Sequence, residues 1–257
     1  MPGKIAIVCV ALAFCACASS GSVDTGQVSA VTADEYWITL PGPRSIVIIG
    51  ASGRQQRRQT EIDNALEDAA RKAAMYHGVQ VRSEHVQDIG ANFFDYFASS
   101  EIELDYDKEL EKYKDKLVFD ESRDILTRNN GVFIRFTYPE SFPGRINYGF
   151  SRNQDGSPAW TTNPPKEISG FTVGVGHSGR QLYLRDTFEK SYNAAAADIV
   201  SKLSTVMTTS GVSAEGHTTS RIHQQSSGRL SYFLVLETWI DPKTQAVWTL
   251  AIAREAE

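Results

Sequence analysis

The spacing of apolar and polar residues divides the chain into strand-length and helix-length segments. Ile46-Val-Ile-Ile49 is a continuous β-branched run, the pattern of a strand covered on both faces. Behind it, Ile62, Ala65, Leu66, Ala69, Ala70, Ala73 and Ala74 recur at helical spacing on one stripe, which predicts a helix lying against that strand. So many alanines imply that the helix backbone comes close to the sheet, and Gly78 predicts where the helix stops. Val79 to Val86 alternates as a half-buried strand does. Phe93, Phe94, Tyr96 and Phe97 form an aromatic cluster, read as a surface excursion, followed by a charged helical stretch from Asp105 to Lys116. The Asn-Gly of Arg128-Asn-Asn-Gly131 stands between β-type runs at 123–127 and 131–138 and predicts a hairpin.

Residues 140–166 are rich in Pro, Gly, Ser and Asn without periodicity and read as a linker. Beyond them Phe171, Val173 and Val175 alternate with smaller residues, and Phe188, Tyr192, Ala195, Ala196, Ile199, Leu203 and Val206 form a second helical stripe. A turn is expected at Gly211 and a polar edge strand from His217 to Gln224. Leu230–Ile240 and Gln245–Ala253 then read as strands joined by Asp241-Pro-Lys-Thr244, with Pro242 where its fixed φ suits a turn.

These segments form a repeat. Gly50-Ala-Ser-Gly-Arg-Gln55 returns as Gly176-His-Ser-Gly-Arg-Gln181, a shift of 126 positions. Thr60-Glu-Ile-Asp63 and Asp186-Thr-Phe-Glu189 carry the form of a helix cap at the same register. The pattern predicts an α+β fold of two tandem two-layer modules, each β-α-β-β-β with mainly antiparallel sheets. The first would occupy 41–139 with an insertion near 88–118, and the second 167–257.

The front end changes the picture from fold to address. Lys4 precedes an apolar stretch from Ile5 to Ala18, too short to span a bilayer, so residues 1–17 read as an export signal. All three cysteines, Cys9, Cys15 and Cys17, lie in it. Phe14-Cys-Ala-Cys17-Ala-Ser-Ser-Gly resembles a bacterial lipobox, with Cys17 as the residue lipidated and the membrane reached through that anchor; the alternative is an ordinary secretory signal with incidental cysteines. Residues 18–40 then form a tether. With Cys17 as the anchor, no other cysteine remains for a disulfide, a thiolate nucleophile or a metal site. The whole chain has a formal charge of -5, against the basic footprint of a nucleic-acid binder.

Candidate chemistry is sparse. Gly174-Val-Gly-His-Ser-Gly179 has dinucleotide-loop spacing, but the expected helix begins well beyond it, which argues against a cofactor. A Gly-x-Ser-x-Gly elbow would need glycine where Arg180 stands. His217 and His223 fall on one face of a strand, a spacing shared by a metal pair and by ordinary edge histidines; no metal is expected. Arg54, Arg57, Arg58, Arg180 and Arg185 lie in or just after loops that precede helix N-termini, whose free N–H groups favour anions.

The strand into Gly-x-Gly, the Ala-rich helix and the closing Trp239-Ile-Asp-Pro242 with Val247-Trp-Thr-Leu250 resemble the Lpp-twenty family of bacterial outer-membrane lipoproteins. The whole chain is similar to the duplicated versions of spirochaete-like lipoproteins, with Ile48 departing from the Gly-x-Gly pattern. That resemblance implies an exported, outer-membrane-anchored lipoprotein facing the periplasm or the surface, with structural or adhesive roles and no catalytic residues or cofactor. The leading expectation is a non-enzymatic envelope protein that binds or scaffolds an envelope protein partner. The alternatives are a periplasmic module binding a ligand or anionic envelope polymer through the arginine loops, and a serine hydrolase using Ser178 and His177.

Overall fold

A β-branched run can be buried on both faces only if something covers each face: here Ile46 and Ile48 pack against Ile62, Ala65 and Ala69 on one side, and Ile49 packs with Trp37, Leu184 and Phe188 on the other. The computed structural model describes residues 37–90, 93–103, 110–204, 206–214 and 217–256, with 84–90, 93–103, 206–214 and 217–225 described by backbone only. The elements in order are β1 (Ile46–Ser52), α1 (Arg58–His77), β2 (Val79–Gly90), β3 (Phe93–Glu103), α2 (Leu110–Lys114), β4 (Ile125–Arg128), β5 (Gly131–Tyr138), β6 (Glu167–Ile168), β7 (Phe171–Ser178), α3 (Leu184–Leu203), β8 (Val206–Ala214), β9 (His217–Ile240) and β10 (Val247–Glu255). They form an α+β fold with two antiparallel sheets. One has the order β1-β5-β4, and the other β3-β2-β9-β10-β7-β6 with β8 also on β9.

The two strand–loop–helix units share their helix starts and one glycine crossing at the spacing read from the sequence. Both helices run 20 residues, from Arg58 and from Leu184. Ser52 pairs with Val132 and Ser178 with Val247, so β1-β5-β4 and β7-β10-β9 share one strand arrangement. Gly50 lies under Ala65 and Gly176 under Ser191; a Cβ there would stand 2.0 Å and 1.8 Å from the respective helix carbonyl oxygens. Glycine is required because the helix backbone crosses the strand at contact distance. At the next turn the units differ: Gly174 faces Ala195 in the second, whereas Ile48 is a packed core residue in the first.

Each helix also completes an edge of its strand. The Ala51 N–H donates to Asp68 Oδ2 (2.8 Å), and Lys72 Nζ donates to the Ile49 carbonyl (2.7 Å) and to Asp68 (2.8 Å). In the second unit the Val175 N–H donates to Asp198 (2.8 Å), and Lys202 donates to the Val173 carbonyl (2.8 Å) and to Asp198 (2.8 Å). Among the described residues β1 has β5 as its single strand neighbour, so its other edge would bury unpaired backbone groups without this Asp–Lys pair.

Several boundaries differ from expectation. Thr60 and Asp186 do not cap: the N-cap positions are Arg57 and Tyr183, neither with a side-chain hydrogen bond, so the helices start three residues earlier. The expected insertion at 88–118 begins later, because β2 and β3 form a hairpin whose counterpart is β8 with the first half of β9. Phe93 to Phe97 are therefore strand, and of the charged stretch the described helix is Leu110–Lys114, residues 105–109 lying outside the described residues. Gly211 lies inside β8 rather than in a turn. His217–Gln224 is part of a 24-residue strand, and residues 220–225 are paired to both β2 and β8. That stretch is therefore internal, not an edge.

The expected linker is packed structure, and the described residues from Trp37 to Ala256 belong to one compact unit. β2, from the first half, pairs with β9, from the second, from Val79–Leu230 to Ile89–Ser220. In the segment 140–166, Phe142 and Trp160 are buried. Leu234, Leu236, Leu250 and Ile252 share one core cluster with α1, Phe142 and Trp160. Their sequence neighbours Phe233, Ala251 and Ala253 belong to a second cluster with α3. The alternation along β9 and β10 thus joins both halves into one body. The expected tether ends before residue 40, since Trp37 is buried against Phe133 and the Thr39 N–H donates to the Leu236 carbonyl.

Candidate functional site

The two Gly-x-Ser-Gly-Arg-Gln loops are built alike. Ser52 and Ser178 each donate their hydroxyl to the next residue's carbonyl, Gly53 and Gly179. The Gln55 N–H donates to Glu61 Oε1 (3.0 Å), and the Gln181 N–H donates to Thr187 Oγ1 (3.0 Å). A helix side chain therefore pins each loop, one residue after the expected cap.

What stands at that position separates the two loops. In the first, Glu61 is 2% exposed and receives Arg54 Nε at 2.8 Å and Arg58 at 3.0 Å. Burial pushes its pKa up, but the Gln55 N–H, Arg58 and Arg54 outweigh burial and hold it below its ordinary 4.5. Such a depressed pKa contributes stability above pH 4.5 that is lost as pH falls through the folded value. Two of the three arginines are thus committed to an internal carboxylate, and Arg57 is exposed beside them.

In the second loop neutral Thr187 does the pinning, and its hydroxyl also donates to the Tyr183 carbonyl (3.3 Å). Lys190 braces Gln181 from α3 (2.9 Å). Arg180 is exposed, Arg185 is half-buried, and Arg185 Nε has no hydrogen-bond partner among the described residues. Between them stand Leu182 and Tyr183, 88% and 59% exposed, large apolar side chains on a braced loop. Sequence reasoning missed them because they fall outside the repeated motif and the helical stripe. The signal was available: two consecutive bulky residues directly before a helix start.

The remaining candidates are dispersed. Ser178 is buried and His177 exposed, on opposite faces of β7, and the His177 ring lies against Trp248 at 4.4 Å between centroids. Adjacent strand residues point apart, so the pair does not form a nucleophile and base. His217 and His223 lie on β9, among the residues described by backbone only. Cys17 lies outside the described residues.

A cleft of about 430 Å³ opens elsewhere, lined by Tyr76, His77, Ser231, Tyr232, Arg254, Glu255 and Ala256. It forms where the β9–β10 register shifts between Ile252 and Arg254. Tyr232, at this bulge, has φ 56°, a left-handed conformation unusual for a bulky residue and costing roughly 1–3 kcal/mol. The bulge sets the Tyr232 ring edge-on to Tyr76 at 5.5 Å. Arg254 stacks its guanidinium over Phe171 at 4.0 Å and donates Nε–H to the Gly170 carbonyl (3.2 Å). His77 Nε2 shares a hydrogen bond with the Tyr138 hydroxyl (2.8 Å). Burial pushes the His77 pKa down, with Lys116 and Lys112 adding to the fall and Glu140 opposing it. Burial and the Glu140 charge push the Tyr138 phenol up to about 12.

No family model, curated protein or solved structure matches the chain. Among the described residues, no helix is long and apolar enough to cross a membrane.

Proposed function

We propose that this is a lipid-anchored protein of the bacterial cell envelope, related to the Lpp-twenty lipoproteins and derived by duplication of one strand–loop–helix module. It works by binding a protein partner rather than by catalysis. The signal-like segment ending at Cys17 supplies the anchor, and the packed chain begins by Trp37. A tether of up to about twenty residues then separates lipid from fold.

The observation that carries the binding reading is the second loop. Exposed Leu182 and Tyr183 beside Arg180 combine the residue types that dominate protein–protein contact energy, a tyrosine and an arginine around an apolar side chain. Hydrogen bonds from Thr187 and Lys190 hold the loop before any partner arrives, which lowers the ordering cost of association. The first loop supports this less, because Arg54 and Arg58 are already engaged by Glu61. Binding of an anionic envelope polymer would rest on Arg57 and Arg180.

A photocrosslinker placed at Leu182 in the native envelope tests the proposal. A discrete protein adduct is expected, at least tenfold weaker when Tyr183→Ser and Arg180→Glu are combined, with Tm unchanged because both side chains are exposed. An adduct of equal yield in the combined variant, or none in the parent, contradicts it.

A further inference from the structure

The cleft at the β9 bulge has the size of a small-ligand site, within the range of roughly 300–1,000 Å³ typical of such pockets. Three features suit it to one kind of ligand. Arg254 is pre-positioned: Phe171 supports the face of its guanidinium and Gly170 takes Nε–H. Its terminal nitrogens carry no carboxylate partner among the described residues, and a planar fork held this way matches a carboxylate bidentately. Tyr232 is held at φ 56° although glycine would take that conformation without strain; bulges of this kind re-aim a side chain at functional sites. Ser231, paired with Arg254 and so on the same face of the sheet, adds a hydroxyl to this wall, a group suited to a ligand hydroxyl.

We infer that this cleft binds a carboxylate-bearing sugar ring, with Arg254 taking the carboxylate, Tyr232 backed by Tyr76 forming the wall on which the ring packs, and Ser231 taking a ring hydroxyl. A fatty acid would need an apolar channel, whereas serine, histidine, arginine and glutamate line this cleft. A bare carboxylate would leave the tyrosine wall and the Ser231 hydroxyl without a role. The assignment goes beyond the anchor and partner reading and does not depend on it, since it concerns residues away from Cys17 and from the second loop.

Glucuronate and glucose are the matched probes, because they differ in the carboxylate while sharing the pyranose ring. Titration calorimetry on the full chain in detergent is expected to show saturable glucuronate binding at least tenfold tighter than glucose. Arg254→Gln should reduce glucuronate to the level of glucose, and Arg254→Lys, which keeps the charge without the fork, should fall between. Tyr232→Ala should weaken both sugars. Arg254 is exposed, so an unchanged Tm serves as the folding control for its variants. Equal binding of the two sugars, no saturable glucuronate binding, unaltered binding in Arg254→Gln, or acetate competing as well as glucuronate would each overturn the assignment.

Discussion

Gly176→Ala is expected to be among the most damaging single substitutions in this protein, costing upwards of about 3 kcal/mol, the top of the usual range for overpacking a core. The added methyl would stand 1.8 Å from the Ser191 carbonyl oxygen and 2.5 Å from the Ala195 nitrogen. Both are backbone atoms of α3, so no rotamer change relieves the clash, and the helix must lift off β7. The Ser191 hydroxyl bonds both to the Gly176 carbonyl (3.3 Å) and to Thr249 on β10 (2.8 Å), so lifting the helix also strips buried polar groups of their partners. For a folded unit of this size the loss corresponds to a fall of roughly 10 °C in Tm. Gly179→Ala and Gly53→Ala are the controls. Nothing lies within 4 Å of a Cβ at either position, and neither has positive φ, so both variants should melt within about 2 °C of the parent. Equal melting of Gly176→Ala and Gly179→Ala would contradict the close helix–strand crossing.

Glu237→Ala is the second large effect, at about 3–5 kcal/mol, the range for breaking a buried ion pair from one side. Glu237 is fully buried on β9. One carboxylate oxygen accepts the Trp160 indole N–H and the other the Arg152 guanidinium. Both partners come from the segment 140–166. That stretch has little regular structure beyond a single 3-10 turn at Ala159–Thr161, so this carboxylate is a main tie between it and the sheet. Alanine would strand a buried indole donor and leave Arg152 without its acceptor. The expected readouts are a lower urea midpoint and new proteolytic cleavage within 140–166. Trp160→Phe, which keeps most of the volume but removes the N–H, should cost less, about 1–3 kcal/mol. Uncleaved 140–166 in Glu237→Ala would show that apolar packing of Phe142 and Trp160 alone holds the segment.

The strands and helices that follow a single periodicity were legible, because β1, α1, β5, β7, α3 and β10 each have one strong apolar pattern. The 126-residue repeat located the helix starts in register with each other, though not at the residue chosen as cap. Thr60 and Asp186 have the right side chains for capping, but the loops are pinned by Glu61 and Thr187 instead. A cap pattern reports residue type and not which hydroxyl or carboxylate faces the loop.

The Asp–Lys pairs escaped the ungapped match for a related reason. Asp198 and Lys202 sit one helical turn farther from their loop than Asp68 and Lys72, and their strand contacts move back by two residues. Four helix residues and two strand residues cover nearly equal lengths, about 6 Å and 7 Å. The same contact can therefore shift along the crossing without disturbing it.

Segments governed by long-range pairing were not legible. Polar residues from His217 to Gln224 suggested an edge, yet strands on both sides pair with residues 220–225; backbone ladders are indifferent to side-chain polarity. The segment 140–166 read as a linker because Pro, Gly and Ser dominate it, while Trp160 and Phe142 do the packing. The cleft was invisible for the same reason: Tyr76, Tyr232 and Arg254 lie far apart in sequence, and a β-bulge brings them together.

A lipid anchor at Cys17 is tested most directly by the intact mass of the protein purified from its native membrane. The expected result is a mature chain beginning at Cys17 and carrying acyl chains, with the acylated species lost and the protein released to the soluble fraction in Cys17→Ala. An unmodified soluble chain cleaved at another position would contradict it.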